Sequence, residues 1–389
     1  MPGSLGARPV PGPIDTNLGA LSRVVAVTGQ AWDQDDQERF RDELQATIDD
    51  FLDEQAERLA PLGDDASRLV AEGRASVTGG KRFRAAFCAW GFRAAAREEH
   101  DERAVLRAAA SLELLHASAL VHDDLMDASD TRRGRPATHR GFAVLHGEQS
   151  WPGDPDQYGA AAAILLGDLL LSWSDELLRR CGLPWDRVGP ALDVLDLCRS
   201  EVIAGQFLDV SVQARGRATV ADAMTVLRYK SAKYSIERPL HVGAALAGAG
   251  PETLAALTAF GLPLGEAFQL RDDLLGVFGD PATTGKPAGD DLVEGKRTVL
   301  VALALDSAPA ADAERLDAAL GTALDEREVA ELRGIIDRSG AHAQVETMID
   351  DLAKQAVSAL ADAREAVGLD PHACAVLEGL AASATRRVL

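Results

Sequence analysis

Apolar side chains return at helical spacing along most of this chain. Phe40, Leu44, Ile48, Phe51 and Leu52 form one stripe within an acidic stretch, which predicts an opening helix from roughly 33 to 59. Thr78-Gly79-Gly80 breaks the pattern; a second helix resumes at 81 or 82 and runs through 92, and a third spans 102 to about 127. Residues 147–159, with Trp151-Pro152-Gly153 and Asp154-Pro155, read as a loop. Further helices fit 160–181, 185–214, 220 to about 246, 252–278 and 298–305, and several more cover the acidic region up to 387. No stretch alternates apolar and polar residues as a half-buried strand would, and no short-period repeat is present. The expected fold class is all-α, a large helical bundle.

Composition narrows the picture. Of 389 residues, 47% are hydrophobic and 26% charged, as in a globular chain able to bury a large core. Aromatics are scarce at 5%, which favours helix over strand. Residues 1–32 carry Pro and Gly without periodicity and are expected to form a flexible N-terminal arm, with 33–389 as the folded domain. The formal net charge of -21 argues against nucleic acid as a partner, so an anionic substrate would need a local basic pocket or bound cations. Cys88, Cys181, Cys198 and Cys374 lie far apart and read as buried reduced thiols. No signal peptide is visible, and the longest apolar run, 160–167, is too short to cross a bilayer. A soluble, cytoplasmic protein is expected.

Candidate chemistry concentrates in a few places. Asp123, Asp124 and Asp127, followed by Arg132, Arg133 and Arg135, put three carboxylates and three guanidiniums within thirteen residues. Asp123 and Asp127 stack on one helical face, and the leucines and Met126 around them mark that helix as buried rather than as a solvated acidic end. Buried acids need a cation and clustered arginines need an anion. A Mg²⁺ carrying a diphosphate satisfies both. Gly79-Gly80-Lys81-Arg82-Phe83-Arg84, on a glycine turn that opens a helix, is a second anion site. Lys230 and Lys233 lie three apart with Ser231 between them, a pair whose role is open without context. A second Asp-Asp-Leu, at Asp272-Asp273-Leu274, follows Gln269 and precedes a loop rich in glycine and lysine with Lys286 and Lys296. If both acidic pairs face one cavity, the chain between them folds as one domain.

In this order and spacing, Gly79-Gly80-Lys81-x-x-Arg84, Leu115-His116 through Asp123-Asp124-Leu125-Met126-Asp127 into Arg132-Arg133-Gly134, Gly205-Gln206-x-x-Asp209, Lys230-Ser231 and Gln269-x-x-Asp272-Asp273 are highly specific. The chain resembles the polyprenyl synthetase family, the trans-isoprenyl diphosphate synthases, over roughly 35–389, and is most like their bacterial geranylgeranyl type. The resemblance implies a single all-α bundle of isoprenoid synthase type around a deep central cavity, and a homodimer. It implies several Mg²⁺ ions (Mn²⁺ as a substitute) bridging the substrate diphosphate. Asp123 and Asp127 would ligate metal from one wall and Asp272 from the other, with Asp124 and Asp273 close by. Arg132, Lys230, Ser231, Gln269, Lys286 and Lys296 would hold an allylic prenyl diphosphate. Lys81, Arg84, His116 and Arg133 would hold isopentenyl diphosphate.

The implied reaction ionises the allylic C–O bond; the isopentenyl double bond attacks the cation, and a proton is lost to the released diphosphate. One departure from the family pattern is Gly276, where many members carry a third aspartate; nearby Asp280 and Asp290-Asp291 are candidates to compensate through water. Ser118 and Ala119, five and four residues before Asp123, are small where short-chain members place bulky aromatics, with Leu115, Leu166 and Leu170 as a deeper floor. The favoured product is geranylgeranyl diphosphate (C20), against farnesyl (C15) or longer chains. A class I terpene cyclase would lack the site at Lys81 and Arg84. A non-catalytic regulatory subunit would have lost metal ligands, and Gly276 is the only hint of that.

Overall fold

The computed structural model describes residues 32–279 and 289–385. The proposed arm (Trp32 excepted) and Lys286 lie outside them. Asp33 caps the first helix, α1 (Gln34–Leu59), by accepting from the Asp36 N–H at 2.9 Å. The stripe read from the sequence is the buried face of α1. Trp32, assigned to the arm, packs edge-on against Trp90 and Phe40 with ring centroids 5.6 and 5.8 Å away, so it belongs to the folded domain.

Fifteen further α-helices follow among the described residues. They are α2 (Asp64–Ser76), α3 (Phe83–Ala95), α4 (Glu102–Met126), α5 (Thr138–Glu148), α6 (Pro155–Arg179), α7 (Trp185–Arg215), α8 (Val220–Val226), α9 (Arg238–Leu246) and α10 (Pro251–Phe278). After these come α11 (Asp290–Val293), α12 (Val299–Ser307), α13 (Ala310–Ala319), α14 (Glu326–Ser339), α15 (Ala341–Ala366) and α16 (Pro371–Thr385). α2 and α5 were not foreseen. The loop assigned to 147–159 shrinks because Asp154 caps α6 and Pro155 occupies its first turn, where a missing N–H costs nothing.

The core forms two apolar clusters. One joins α1, α3, α4, α6, α7, α9, α16 and the first half of α10; the other joins the end of α10 to α12, α14 and α15. Central α4 is apolar and long enough to span a bilayer, but 78% of its apolar window is buried inside the bundle. The all-α expectation holds with one exception. Thr131–Arg132 and Arg135–Pro136 form a minimal antiparallel hairpin, β1 and β2, with Arg132 opposite Arg135. Its two turn residues, Arg133 (φ 51°) and Gly134 (φ 73°), both take the left-handed conformation that tight hairpins require.

The single helix expected over 220–246 is in fact three segments. Between α8 and α9 the chain widens into a π-helix, Leu227–Glu237. Packing imposes this. A side chain at Gly205 of α7 would sit 2.4 Å from the Lys230 nitrogen, and one at Gly265 of α10 would sit 2.4 Å from the Ala232 carbonyl oxygen. The two glycines let flanking helices close on the π-helix backbone. Ion pairs from Lys233 and Arg238 to Glu201 of α7 (2.6 and 2.7 Å), and from Arg228 to Glu266 of α10 (2.6 Å), hold it there.

Candidate active site

The bundle encloses a cavity of about 1370 Å³, above the roughly 300–1000 Å³ of ordinary ligand pockets. The end of α4, α7, the π-helix, α10, the hairpin, the segment 80–84 and the stretch from α11 to α12 all contribute to it.

On one wall stands Asp123. Its Oδ1 accepts from Gln206 Nε2 at 2.8 Å and lies 3.4 Å from Lys230 Nζ. Lys230 is shared with Asp209 of α7, 2.6 Å away. Burial alone would raise the Asp123 carboxyl; Lys230, Lys296 and Arg132 together hold it below its usual range, so it is an anion. Asp127, at the end of α4, does not line the cavity. Burial and the Asp123 charge push its carboxyl up to about 6.

Facing this wall, α10 brings Gln269, Asp272 and Asp273 to the cavity. Gln269 Nε2 donates to Asp273 Oδ1 at 2.9 Å. Burial, with Asp291 and Asp272 nearby, pushes the Asp273 carboxyl up to about 8. Lys296 Nζ lies 3.2 Å from Asp291 Oδ1 and also pairs with Glu294.

A second pole forms around the loop before α3. The two hairpin arginines diverge. Arg133 Nη1 donates to the Thr78 carbonyl at 2.8 Å, and its Nη2 would lie 3.1 Å from a Cβ at Gly80 (φ 94°), so the guanidinium covers the glycine turn beside Lys81. Arg84 lies 4.2 Å over the Tyr234 ring and donates to Ser235 Oγ at 2.7 Å, while its buried Nε has no hydrogen-bond partner among the described residues. The Tyr234 hydroxyl is 2.9 Å from His116 Nδ1. Burial, with Arg84, Arg133 and Arg132 facing it, holds His116 well below the usual imidazole range, so it is neutral.

Lys81, Arg84, His116, Arg132, Arg133, Lys230, Ser231, Gln269, Lys296 and Ala119 therefore share one cavity, as the sequence reading required. Three placements are corrected. Asp124, offered as a metal residue, is buried away from the cavity and accepts from Arg132 Nε, which lies 2.9 and 3.1 Å from its two oxygens, and from Arg132 Nη2, so it orients Arg132 instead. Ser118 is buried and donates to the Gly167 carbonyl of α6 at 2.7 Å, tying two helices together. Leu115, Leu166 and Leu170 are core residues and do not line the cavity; Ile164, Ile203 and Phe207 line it instead. Beyond the motif residues, the site recruits Tyr234 and Glu113, which the sequence reading had not assigned, and Asp291, which it had named with Asp280 (outside the described residues) and Asp290 only as compensation for Gly276 through water. Tyr234, four residues after Lys230 and on the π-helix, carried a positional signal; Glu113 carried none.

The donors at the first pole suit a hard cation. Asp123 and Asp272 offer carboxylate oxygens from facing walls, with Asp127 one turn beyond Asp123, and oxygen donors of this kind are the preference of Mg²⁺. No three His, Cys, Asp or Glu side chains among the described residues converge as a metal site built from protein groups alone. A Mg²⁺ here would be completed by phosphate oxygens, its usual arrangement in phosphate-transfer sites.

Two cationic poles beside facing acids in an all-α cage define a site built for two diphosphates, with an apolar space between helices. Residues 68–336, well over half of the chain, match the polyprenyl synthetase family model, and the chain belongs to that family. A short chain isoprenyl diphosphate synthase of Methanothermobacter thermautotrophicus is 36% identical over 75% of this chain and 85% of its own. A geranylfarnesyl diphosphate synthase of Natronomonas pharaonis is 38% identical over 53% of this chain and 55% of its own. Among solved structures, a geranylgeranyl pyrophosphate synthase of Corynebacterium glutamicum, complexed with isoprenyl diphosphate and magnesium, superposes with a TM-score of 0.87. That protein is 40% identical, and the match covers 91% of this chain and all of that one. The chain is a prenyltransferase of a magnesium-dependent family.

Proposed function

We propose that the chain condenses isopentenyl diphosphate with an allylic prenyl diphosphate, head to tail, to make geranylgeranyl diphosphate (C20). The observation that carries the product length is Ala119. It lines the cavity one turn before Asp123, where a methyl group leaves the space open toward Ile164 and Ile203. Incubation with labelled isopentenyl diphosphate, Mg²⁺ and C5, C10 or C15 primers tests this. The expected end product is C20; a product stopping at C15 overturns the length, and no elongation with any primer overturns the reaction.

In this reading Asp123, Asp127 and Asp272 hold the metals from two walls, and Mg²⁺ when bound neutralises the allylic diphosphate so that its C–O bond can ionise. Lys230, Lys296, Arg132, Ser231 and Gln269 place charge and hydrogen bonds around the departing diphosphate. Lys286 belongs to the same set by resemblance and lies outside the described residues. Lys81, Arg84, Arg133 and neutral His116 hold the second diphosphate so that its double bond faces the allylic carbon. The apolar cavity beyond them keeps water from the cation.

Two results are expected. Ala119→Phe fills the start of the chain tunnel and shifts the major product from C20 to C15, read by chromatography of dephosphorylated products; unchanged length refutes the role. Tyr234→Phe keeps the ring beneath Arg84 but removes the hydroxyl at His116. The KM for isopentenyl diphosphate is expected to rise roughly threefold to tenfold, about the worth of one hydrogen bond, with the allylic KM unchanged.

A homodimer belongs to the same proposal. Leu165 (61% exposed) on α6, and Ile203 (59%) and Phe207 (70%) at the open edge of the cavity on α7, are exposed apolar side chains that a second copy would cover. Sedimentation should give twice the chain mass, and Phe207→Glu should shift it toward monomer. Cytoplasmic residence is also part of the proposal, supported by four buried thiols without a disulfide.

A further inference from the structure

The π-helix carries contacts of both poles. Its first half holds Ser231 and Lys230, which pairs with Asp123 and Asp209. Its second half holds Tyr234, beneath Arg84, and Ser235, whose Oγ accepts from Arg84 at 2.7 Å. A π-helix turns less per residue than an α-helix, so these two pairs keep their relation only while i→i+5 bonding lasts. Such a segment persists where its surroundings over-determine it.

Helices α7 and α10 each turn one face to it. On α7, Glu201, Gly205 and Asp209 follow at intervals of four: Glu201 pairs with Lys233 and Arg238, Gly205 admits the backbone at Lys230, and Asp209 holds its ammonium. On α10 the face is Thr258, Gly261 and Gly265, and a Cβ at Gly261 would lie 3.1 Å from the Glu237 Cα. Thr258 meets the π-helix where it returns to α-helix, in a polar network outside the cavity lining.

The protons of that network can be assigned. Glu237, Arg238 and His241 are buried, and Arg238 Nη1 lies 3.1 Å from His241 Nδ1. A guanidinium only donates, so Nδ1 accepts and the neutral ring carries its proton on Nε2. Burial keeps that ring neutral, pushing His241 down to about 4. Nε2 then donates to Thr258 Oγ1 at 3.0 Å, and the Thr258 hydroxyl donates to Glu237 Oε1 at 2.9 Å. Glu237 Oε2 has no hydrogen-bond partner among the described residues, with Lys233 Nζ 3.8 Å away. A buried carboxylate left half satisfied costs stability, so its place here is one of geometry.

We infer that Thr258 is a positioning residue for both substrates: through Glu237 and His241 it fixes the end of the π-helix, and with it the relation of Lys230 and Ser231 to Tyr234 and Ser235. The inference rests on the proposed function.

Steady-state kinetics of the full chain with Mg²⁺, varying each diphosphate in turn, test it. Thr258→Val keeps the side-chain shape and removes the hydroxyl. Its KM values for the isopentenyl and allylic diphosphates should rise together, roughly threefold to tenfold each, whereas Tyr234→Phe raises only the first. Thr258→Ser keeps the hydroxyl and should return both to the wild-type range. Thermal unfolding checks each fold, and Thr258→Ala decides if Thr258→Val does not fold. Wild-type KM values in Thr258→Val, with or without a lower unfolding temperature, overturn the inference. So does a rise in one KM alone, or a Thr258→Ser protein no better than Thr258→Val. Wild-type protein that elongates no primer overturns the proposed function itself.

Discussion

Asp123→Ala is expected to lower kcat about 10³-fold, at the upper end of what losing one preorganised charge-stabilising group costs. The size follows from what converges on this carboxylate. Gln206 and Lys230 both address its Oδ1, and Lys230 is itself anchored on Asp209. Removing the acid leaves two half-buried donors without their common acceptor and takes away the wall's ionised ligand. Asp127 is a weaker substitute, because its carboxyl is pushed up to about 6. Product formation from labelled isopentenyl diphosphate measures the effect, with circular dichroism showing that the bundle persists. Turnover within a few-fold of wild type would show that Asp123 does not hold a catalytic metal. Asp272→Ala should fall in the same range.

How much of this was legible depended on which force sets each feature. The long helices were legible because burial imposes a 3.6-residue period, and α1, α4 and α10 carry it strongly. Helical α2 was missed because it buries only Val70 and Gly73, and α5 because half of its inner face is His139 and His146. The hairpin spans too few residues for any period to show; its one signal was Arg133-Gly134, a two-residue turn ending in glycine. The π-helix had no local signal; what marks it in the structure is close backbone approach at Gly205 and Gly265, contacts that lie far off in sequence.

The site shows the same division. Asp127, one turn past Asp123, stands outside the cavity lining, but most residues that motif spacing places on one face met in the cavity. Ser118 did not, because five residues along a helix turn the side chain about 140° from Asp123, whereas four turn Ala119 only about 40°. Asp124 sits about 100° around from Asp123, which aims it at Arg132 rather than at the cavity. Asp291 was named beside Asp280 and Asp290, but which of the three reaches Gly276 depends on α11 folding back onto α10, a tertiary contact between residues fifteen positions apart.

Glu113→Ala should destabilise the fold by about 3–5 kcal/mol, the usual cost of breaking a buried ion pair from one side. Glu113 and Arg82 are 5% and 6% exposed, and Arg82 Nη1 donates to Glu113 Oε2 at 2.9 Å. Arg82 caps α3 in the left-handed conformation (φ 56°), an uncommon choice for a side chain of its size. Its Nη2 also donates to the Val77 carbonyl at 2.6 Å, and Glu113 Oε1 accepts from the Ala85 N–H at 3.3 Å. The pair therefore ties both ends of the Gly79-Gly80-Lys81 turn to α4. Without the carboxylate, a buried guanidinium is left uncompensated and the turn presenting Lys81 loses its anchor. Urea denaturation measures the stability loss, and a wild-type midpoint for Glu113→Ala would refute it. Glu113→Gln separates the two roles: it keeps the shape and one acceptor, so the chain should stay folded at lower stability. Its KM for isopentenyl diphosphate should rise while the allylic KM does not, because only the Lys81 turn hangs on this pair.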